Sequence, residues 1–362
     1  MKKGHDIRQM LETVNNDSKN KRDYIVDLQA LKVNESTSTF PNLENNTMAL
    51  TKETQIGKIE EKTGAFSHNL TDHALNQLCG RLEIGTQYIN KCLPVSQKLV
   101  AHNLNFWINK RKNRELMIRT YDANDKSHVR AVLSNRYKII DAHHILNPVL
   151  NKVMDLGAEF KYSHYDGDKL NVTAVLPKLE GEVEKDDIVQ GGLTVTNSEV
   201  GNGGLIVQPF IYRLVCTNGM VAPRYLNRFF SKHVGKIVID PEKDIQWVSI
   251  IDKMQKQIEL VSNPKVFQEN LQKLKDATTE KVTSHKIVEI TKRHGVTDYE
   301  RKEIFEKLNH YLGDTFTTSK YELANAITSI ANDDDKSDQR ARQLQELGGL
   351  IIFTHNPMQI RI

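Results

Sequence analysis

Residues 203–236, GGLIVQPFIYRLVCTNGMVAPRYLNRFFSKHVGK, form the stretch that decides the fold. Their first half, LIVQPFIYRLVCTNG, predicts the longest strand of the chain, with apolar side chains on both faces. That pattern is typical of a strand covered on both sides, by the same chain or by another subunit. Pro209 lacks a backbone N–H and therefore indicates a bulge or an edge position within the strand.

The same stretch is basic without compensation. It contains five lysines or arginines and no aspartate or glutamate, although the whole chain is nearly balanced, with 50 basic and 46 acidic residues and a net charge of +4. Because the net charge is small, any affinity for nucleic acid must come from local clustering of basic side chains.

Alternating apolar and polar residues on the N-terminal side of this strand predict further strands. One hairpin is expected from ELMIRTYD and HVRAVLSNRY, and another from EFKYSHYDGDKLNVTAVLP, whose Asp166-Gly167 suits a tight turn. A helix, AHHILNPVLNKVMDLG, separates the two hairpins. The predicted fold class is therefore α+β, with a curved, mostly antiparallel sheet backed by helices over residues 61–240.

The flanking segments differ in composition from this core. Residues 1–60 are polar and rich in asparagine, which predicts a mobile N-terminal arm with one short helix at Asp6 to Thr13. Residues 241–362 predict a helical C-terminal domain for assembly or partner contacts. Its helix starts include the capping-box pairs Thr297/Glu300 and Ser319/Glu322.

The sequence predicts a cytoplasmic protein. No apolar run approaches the roughly 20 residues needed to cross a bilayer, and the basic N-terminus is not followed by the apolar segment of a signal peptide. The three cysteines, Cys79, Cys92 and Cys216, lack CxxC spacing, which favours reduced thiols and argues against a zinc module.

Common enzyme motifs are missing from the sequence. It contains no GxxxxGK[ST] loop and no HExxH, and Cys216 within an apolar strand indicates an inert thiol. The acidic residues between 166 and 187 leave a metal-dependent nuclease open, although they fall at a turn and in a loop, where solvated charges are usual. The sequence favours a protein that is not an enzyme, with no cofactor and no bound metal.

Basic residues recur at the ends of the predicted strands and are interleaved with aromatic residues. Lysine and arginine neutralise phosphates, while aromatic rings offer stacking faces to unpaired bases. The combination predicts a single-strand nucleic-acid site. Its candidate residues are Arg111, Lys112, Arg119, Arg130, Arg136, Tyr137, Tyr212, Arg213, Arg224, Arg228, Phe229 and Lys232.

A second candidate is residues 73–93, HALNQLCGRLEIGTQYINKCL, whose apolar spacing resembles a helix-turn-helix. Glu83 stands where the turn usually has glycine. The second helix would offer Gln87, Asn90 and Lys91 to DNA. The alternative is two packed helices with no role in DNA binding.

Several blocks also resemble a known family in the right order. LTDHALNQLCGRLEIGTQYINKCL, RAVLSNRYKIID, GGLTVTNSEVGNGGLIVQPFIYRLVCTNGM and KHVG are similar to the phage/plasmid-like proteins of domain-of-unknown-function family 932, over roughly residues 65 to 240. The resemblance implies a mobile-element protein acting near DNA replication, recombination or host defence. It supplies no catalytic residues.

The first hypothesis is therefore a phage- or plasmid-encoded protein of the bacterial host cytoplasm that binds single-stranded nucleic acid. Promotion of strand annealing or recombination and homo-oligomerisation would accompany it. Two alternatives stay open: a protein-binding module acting on a host defence or regulatory partner, and a metal-dependent nuclease. The sequence does not separate DNA from RNA.

Overall fold

A computed structural model describes residues 4, 6–33, 39–41, 67–111, 115–123, 126–214, 218–221, 229–234, 245–333 and 335–354. Within them the chain alternates helices and strands as an α+β protein, which confirms the predicted class. In the part of the chain so described, no helix combines the length and apolarity that crossing a membrane requires.

The helices fall in an N-terminal, a central and a C-terminal group. They are α1 (Ile7–Asn20), α2 (Asp72–Leu82), α3 (Thr86–Cys92), α4 (Gln97–Lys110), α5 (Ala142–Asp155), α6 (Ile245–Val261), α7 (Pro264–Thr279), α8 (Ser284–Arg293), α9 (Asp298–Lys307), α10 (Lys320–Ile330) and α11 (Asp338–Phe353).

Most strands lie in the first two thirds of the chain. They are β1 (Lys21–Asp27), β2 (Thr39–Pro41), β3 (Ser67–Leu70), β4 (Glu115–Ala123), β5 (Lys126–Ser134), β6 (Glu159–Tyr165), β7 (Lys169–Glu182), β8 (Ile188–Ser198), β9 (Leu205–Arg213), β10 (Asn218–Val221), β11 (Phe229–Ser231), β12 (Lys281–Thr283) and β13 (Thr317–Ser319).

These strands form two main sheets and one small ribbon. The first sheet has the order β1-β4-β5-β3-β2, and the second has the order β10-β9-β8-β7-β6, with β11 also paired to β9. All pairs are antiparallel except β3 with β5, and β12 pairs with β13 in the ribbon. The predicted hairpin at Asp166-Gly167 joins β6 to β7, and Gly167 adopts a φ of 94°, which favours glycine.

Strand β9 lies inside the second sheet and is covered on both faces, as the sequence predicts. Leu205 and Val207 pack against α5 and α6, whereas Ile211 packs against the C-terminal helices. On the side opposite β8, β11 pairs with residues 205–207 and β10 with residues 210–213. Pro209 falls between these two pairings, which accommodates its missing N–H.

The N-terminal segment differs from the predicted mobile arm. The side chain of Asp6 accepts a hydrogen bond from the Arg8 backbone at 2.9 Å and begins α1, which buries Met10 and Val14 in the core of the second sheet. Strand β1 then pairs with β4 along its whole length. The prediction of a mobile arm is therefore wrong for residues 6–33, whereas residues 34–38 and 42–66 lie outside the described part.

The C-terminal helices are not a separate domain over residues 241–362. Leu176 of β7 and Ile211 of β9 share one apolar cluster with Leu274 of α7 and Leu347 of α11. Helix α6 joins the cluster on the opposite side of the sheet through Met254. The helices thus cover the second sheet and complete its core.

Candidate nucleic-acid interface

The basic residues predicted on the strands do not converge on a solvent-exposed groove. Two of them, Arg119 and Arg130, lie in a buried charge network between the two main sheets. The members of this network are Lys21, Asp23, Arg119, Arg130, Asp141 and Glu199, each less than a tenth exposed. Positive and negative members are equal in number, so the network as a whole carries no excess of basic charge.

Arg119 on β4 is fully buried, with 0% of its surface exposed. Its Nε and Nη2 donate to the two carboxylate oxygens of Asp23 at 2.7 and 3.0 Å, and Nη2 also donates to Asp141 at 2.7 Å. Its Nη1 donates to the backbone oxygen of Glu199 at 2.7 Å. Burial alone would lower the pKa of Arg119, but the carboxylates of Asp141 and Asp23 raise it well above its usual value.

Glu199, which follows β8, is the acceptor at the centre of the network. Its Oε2 accepts from Lys21 Nζ at 2.7 Å and from Arg130 Nη1 at 2.8 Å. Its Oε1 accepts from the backbone N–H of Ala142 at 2.8 Å, at the start of α5. Arg130 Nη1 also contacts Asp168 at 3.1 Å. One carboxylate therefore ties β1, β5 and α5 together.

Parts of the network have no partner among the described residues. The Nε and Nη2 of Arg130 and the Oδ1 of Asp141 are buried without a hydrogen bond. Although burial favours the neutral acid, the Arg119 guanidinium holds the pKa of Asp141 well below its usual range. Asp141 and Arg119 are therefore both charged at neutral pH. Their contacts hold the sheets together, and neither side chain is available to a ligand in solvent.

Two of the predicted stacking residues, Tyr137 and Tyr212, are also buried. Tyr137 stacks on His233 with ring centroids 4.8 Å apart and donates to the Ser198 backbone oxygen at 3.2 Å. Tyr212 lies within β9 and is 9% exposed. Burial raises the pKa of Tyr137, since a phenolate there would lose its hydration. Neither ring can stack on a base in this conformation.

Arg213 is compensated as well. Its Nε and Nη2 donate to the two carboxylate oxygens of Asp187 at 2.6 and 2.9 Å, and Tyr321 donates to the same carboxylate at 2.8 Å. The expectation of uncompensated, accessible charge is therefore wrong for Arg119, Arg130 and Arg213. The sequence does not reveal such pairing, because acidic partners can lie far along the chain; Asp23, for example, lies 96 residues from Arg119.

The remaining described residues of the predicted set differ in their exposure. Arg111 is half-buried and pairs with Glu83 at 2.6 Å, whereas Arg136 and Lys232 are exposed and Phe229 is half-buried against the core. The others, Lys112, Arg224 and Arg228, lie outside the described residues.

An exposed aromatic and basic surface instead lies on α3 and α4. Tyr88, Phe106 and Trp107 are 50%, 49% and 41% exposed. Phe106 and Trp107 contact edge to face at 5.4 Å, and Lys110 Nζ lies 5.6 Å from the Phe106 ring centre. With Leu99, these five residues form a surface that we call the α3–α4 face.

Helical spacing explains why these side chains point outward together. Leu99, Phe106, Trp107 and Lys110 recur at intervals that place them on one side of α4. The opposite side, including Leu104 and other buried residues, packs against α2 in the core of the first sheet. Apolar rings on the solvent side of an otherwise amphipathic helix are typical of a binding surface.

The segment that carries the α3–α4 face has charges of one sign. Residues 84–114 contain six lysines or arginines and no aspartate or glutamate. The acid that immediately precedes them, Glu83, pairs with Arg111. A polyanion approaching this surface therefore meets little repulsion from the residues of this segment.

The acidic residues between 166 and 187 are dispersed. Asp187 contacts Arg213, and Asp168 contacts Arg130. Among the residues that the structure describes, no three histidine, cysteine, aspartate or glutamate side chains are grouped as a metal site requires.

Comparison with known families adds one relationship. A family model described as "Domain of unknown function (DUF932)" matches residues 129–346, that is 218 of the 362 residues. This chain belongs to the DUF932 family. The match begins within β5 and extends into α11, so it includes the C-terminal helices that the expected range of 65 to 240 omits. No curated protein and no solved structure matches the chain.

Proposed function

We propose that this DUF932 protein binds single-stranded nucleic acid through the α3–α4 face. The observation that carries the proposal is the pair of exposed rings, Phe106 and Trp107, next to Lys110 within a segment that lacks acidic residues. Stacking of a base on an aromatic side chain contributes about 1–3 kcal/mol, and basic neighbours add salt-dependent attraction to phosphates.

The network between the sheets has a different role in this proposal. It fixes the scaffold on which α2 is mounted: Gln77 of α2 accepts from the Val132 N–H and donates to the Val200 oxygen, both at 2.7 Å. The helices therefore present the face from a rigid support, and the buried arginines need not contact the ligand.

The direct test is binding of a fluorescent single-stranded oligonucleotide by anisotropy across a salt series. We expect affinity to fall with salt at a log–log slope of about −0.7 per phosphate contacted. Phe106→Ala combined with Trp107→Ala should weaken binding by about 1–3 kcal/mol per stacked base, or roughly 5- to 150-fold. Tyr299→Ala is the matched control, because Tyr299 is an exposed ring with Lys336 Nζ at 5.3 Å, far along the chain.

Tryptophan fluorescence gives an independent readout. The chain has two tryptophans; Trp107 is exposed, whereas Trp247 is 6% exposed. Stacked bases should therefore quench the Trp107 signal, and Trp107→Phe should remove most of the quenching. Absence of binding at low salt, or equal affinity in the ring variant and wild type, would refute the proposal.

A protein partner is the second candidate for the same surface. Val95, 82% exposed, and Leu99 extend it with aliphatic rather than basic character. Capture of a host protein that survives nuclease treatment and is lost in Leu99→Ser would favour this candidate, particularly if oligonucleotides do not compete.

A further inference from the structure

Helices α2 and α3 are joined by a short connection of residues 83–85. Glu83 adopts the left-handed conformation, with φ of 60°, in the position where a helix-turn-helix usually has glycine. Its N–H and that of Ile84 bond to carbonyls in the last turn of α2, with Ile84 N to Cys79 O at 2.9 Å. The predicted pair of helices and its sharp turn are thus both present, despite the unfavourable residue.

The apolar sides of both helices are used internally. Leu75, Leu78 and Leu82 of α2 and Ile89 of α3 are buried in one cluster with α4. This three-helix arrangement leaves the outer side of α3 exposed. In helix-turn-helix proteins the second helix occupies the major groove while the first crosses the backbone.

The exposed side of α3 carries side chains suited to base edges. Gln87, Asn90 and Lys91 are exposed, and their i, i+3 and i+4 spacing places them on one side of the helix. Glutamine and asparagine amides can bond adenine with two hydrogen bonds, and lysine can donate to guanine in the major groove.

This reading surface adjoins the α3–α4 face. Only residues 93–96 separate the end of α3 from the start of α4. A ligand lying across both would meet hydrogen-bonding side chains on α3 and then stacking rings on α4. The hydrogen-bonding side chains suit paired bases in a groove, whereas the rings suit unpaired bases.

We propose that the preferred ligand is DNA with a junction between duplex and single strand. Helix α3 contacts the major groove of the paired arm, and Phe106 and Trp107 stack the first unpaired bases. The duplex arm is DNA because the deep, narrow major groove of A-form RNA is closed to side chains. This inference rests on the proposed single-strand binding and specifies its substrate.

The test compares three DNA ligands of matched sequence at one salt concentration: a single strand, a blunt duplex and a forked duplex with one unpaired arm. We expect the fork to bind at least about tenfold more tightly than either simple ligand, because two contact surfaces act together. The same fork with an RNA duplex arm should lose this advantage.

Two variants separate the contributions. Gln87→Ala combined with Asn90→Ala should reduce the fork-to-single-strand affinity ratio to about one. The matched control is Gln268→Ala combined with Gln272→Ala, two exposed amides on α7, which should leave the ratio at the wild-type value. Circular dichroism checks that each variant is folded.

The outcomes distinguish this inference from the proposed function. If the single strand binds but the fork binds no more tightly, the junction inference is overturned and single-strand binding stands. An equal fork advantage with an RNA duplex arm also overturns it, since α3 would then not read a major groove. If none of the ligands binds, both proposals fail.

Discussion

Replacing Glu199 by glutamine tests whether the buried charge network holds the two sheets together. The substitution preserves the shape of the side chain but removes the charge that Lys21 and Arg130 share at 2.7 and 2.8 Å. Glu199 is 2% exposed, so water cannot replace the lost carboxylate without a rearrangement. Two cations would be left with reduced compensation inside the protein.

The expected cost follows from this burial. Removing one partner of a buried ion pair typically destabilises a protein by about 3–5 kcal/mol. Glu259→Gln is the matched control, because Glu259 pairs with Lys152 but its side chain is 56% exposed. An exposed pair contributes at most about 1 kcal/mol.

Urea denaturation of both variants at neutral pH measures the difference. We expect Glu199→Gln to lower the free energy of unfolding by several kcal/mol more than Glu259→Gln. Hydrogen exchange should also accelerate in β1, since Lys21 anchors that strand to Glu199. Equal losses in the two variants, with unchanged exchange in β1, would refute the structural role of the network.

Three further predictions concern other parts of the chain. Burial and the neighbouring imidazole lower the pKa of His144 from 6.5 to about 4. Its contribution to stability is therefore full above about pH 6.5 and falls by up to about 3 kcal/mol as the pH drops towards 4. Denaturation at several pH values should show that His144→Gln reduces this pH dependence. Gly192→Ala places a Cβ 2.2 Å from a backbone oxygen and should cost at least about 1–3 kcal/mol, whereas Gly80→Ala in open space on α2 should stabilise by about 0.5–1 kcal/mol in the same assay. A fragment of residues 241–362 should show no cooperative thermal transition by circular dichroism, because strands of the second sheet supply part of its core; a sharp transition would contradict that dependence.

Local features of the fold were predictable from sequence. The capping boxes at Thr297 and Ser319 both form. In each, the hydroxyl accepts from the backbone N–H of the glutamate three residues later, and that glutamate side chain accepts from the backbone N–H of the hydroxyl residue. The hairpin at Asp166-Gly167 forms for a similarly local reason. Each of these depends on residues within a few positions of one another.

Long-range compensation was not predictable in the same way. Arg119 follows three consecutive apolar residues on β4, and its charge predicts a solvent-facing side chain, yet it is fully buried. Its acidic partners lie 96 and 22 residues away, so no local pattern pairs them. Strand β1 was missed for a related reason: its buried Lys21 and Asp23 make a structural segment look like part of a polar arm.

The candidate interface was partly visible in the sequence. Arg111, a member of the predicted basic and aromatic set, directly follows Lys110 at the end of α4. What sequence could not show is that Phe106 and Trp107 lie outside the core. Deciding this requires knowing which side of α4 packs on α2.

The pairing of Lys21 with Glu199 also has a consequence for synthesis on the ribosome. The two residues are 178 positions apart, so at 5–20 residues per second about 10–40 s pass between their addition to the chain. During that interval Lys21 cannot pair with Glu199, so this contact cannot yet hold the first sheet against the second. Slower translation would lengthen the interval before this contact between the sheets can form.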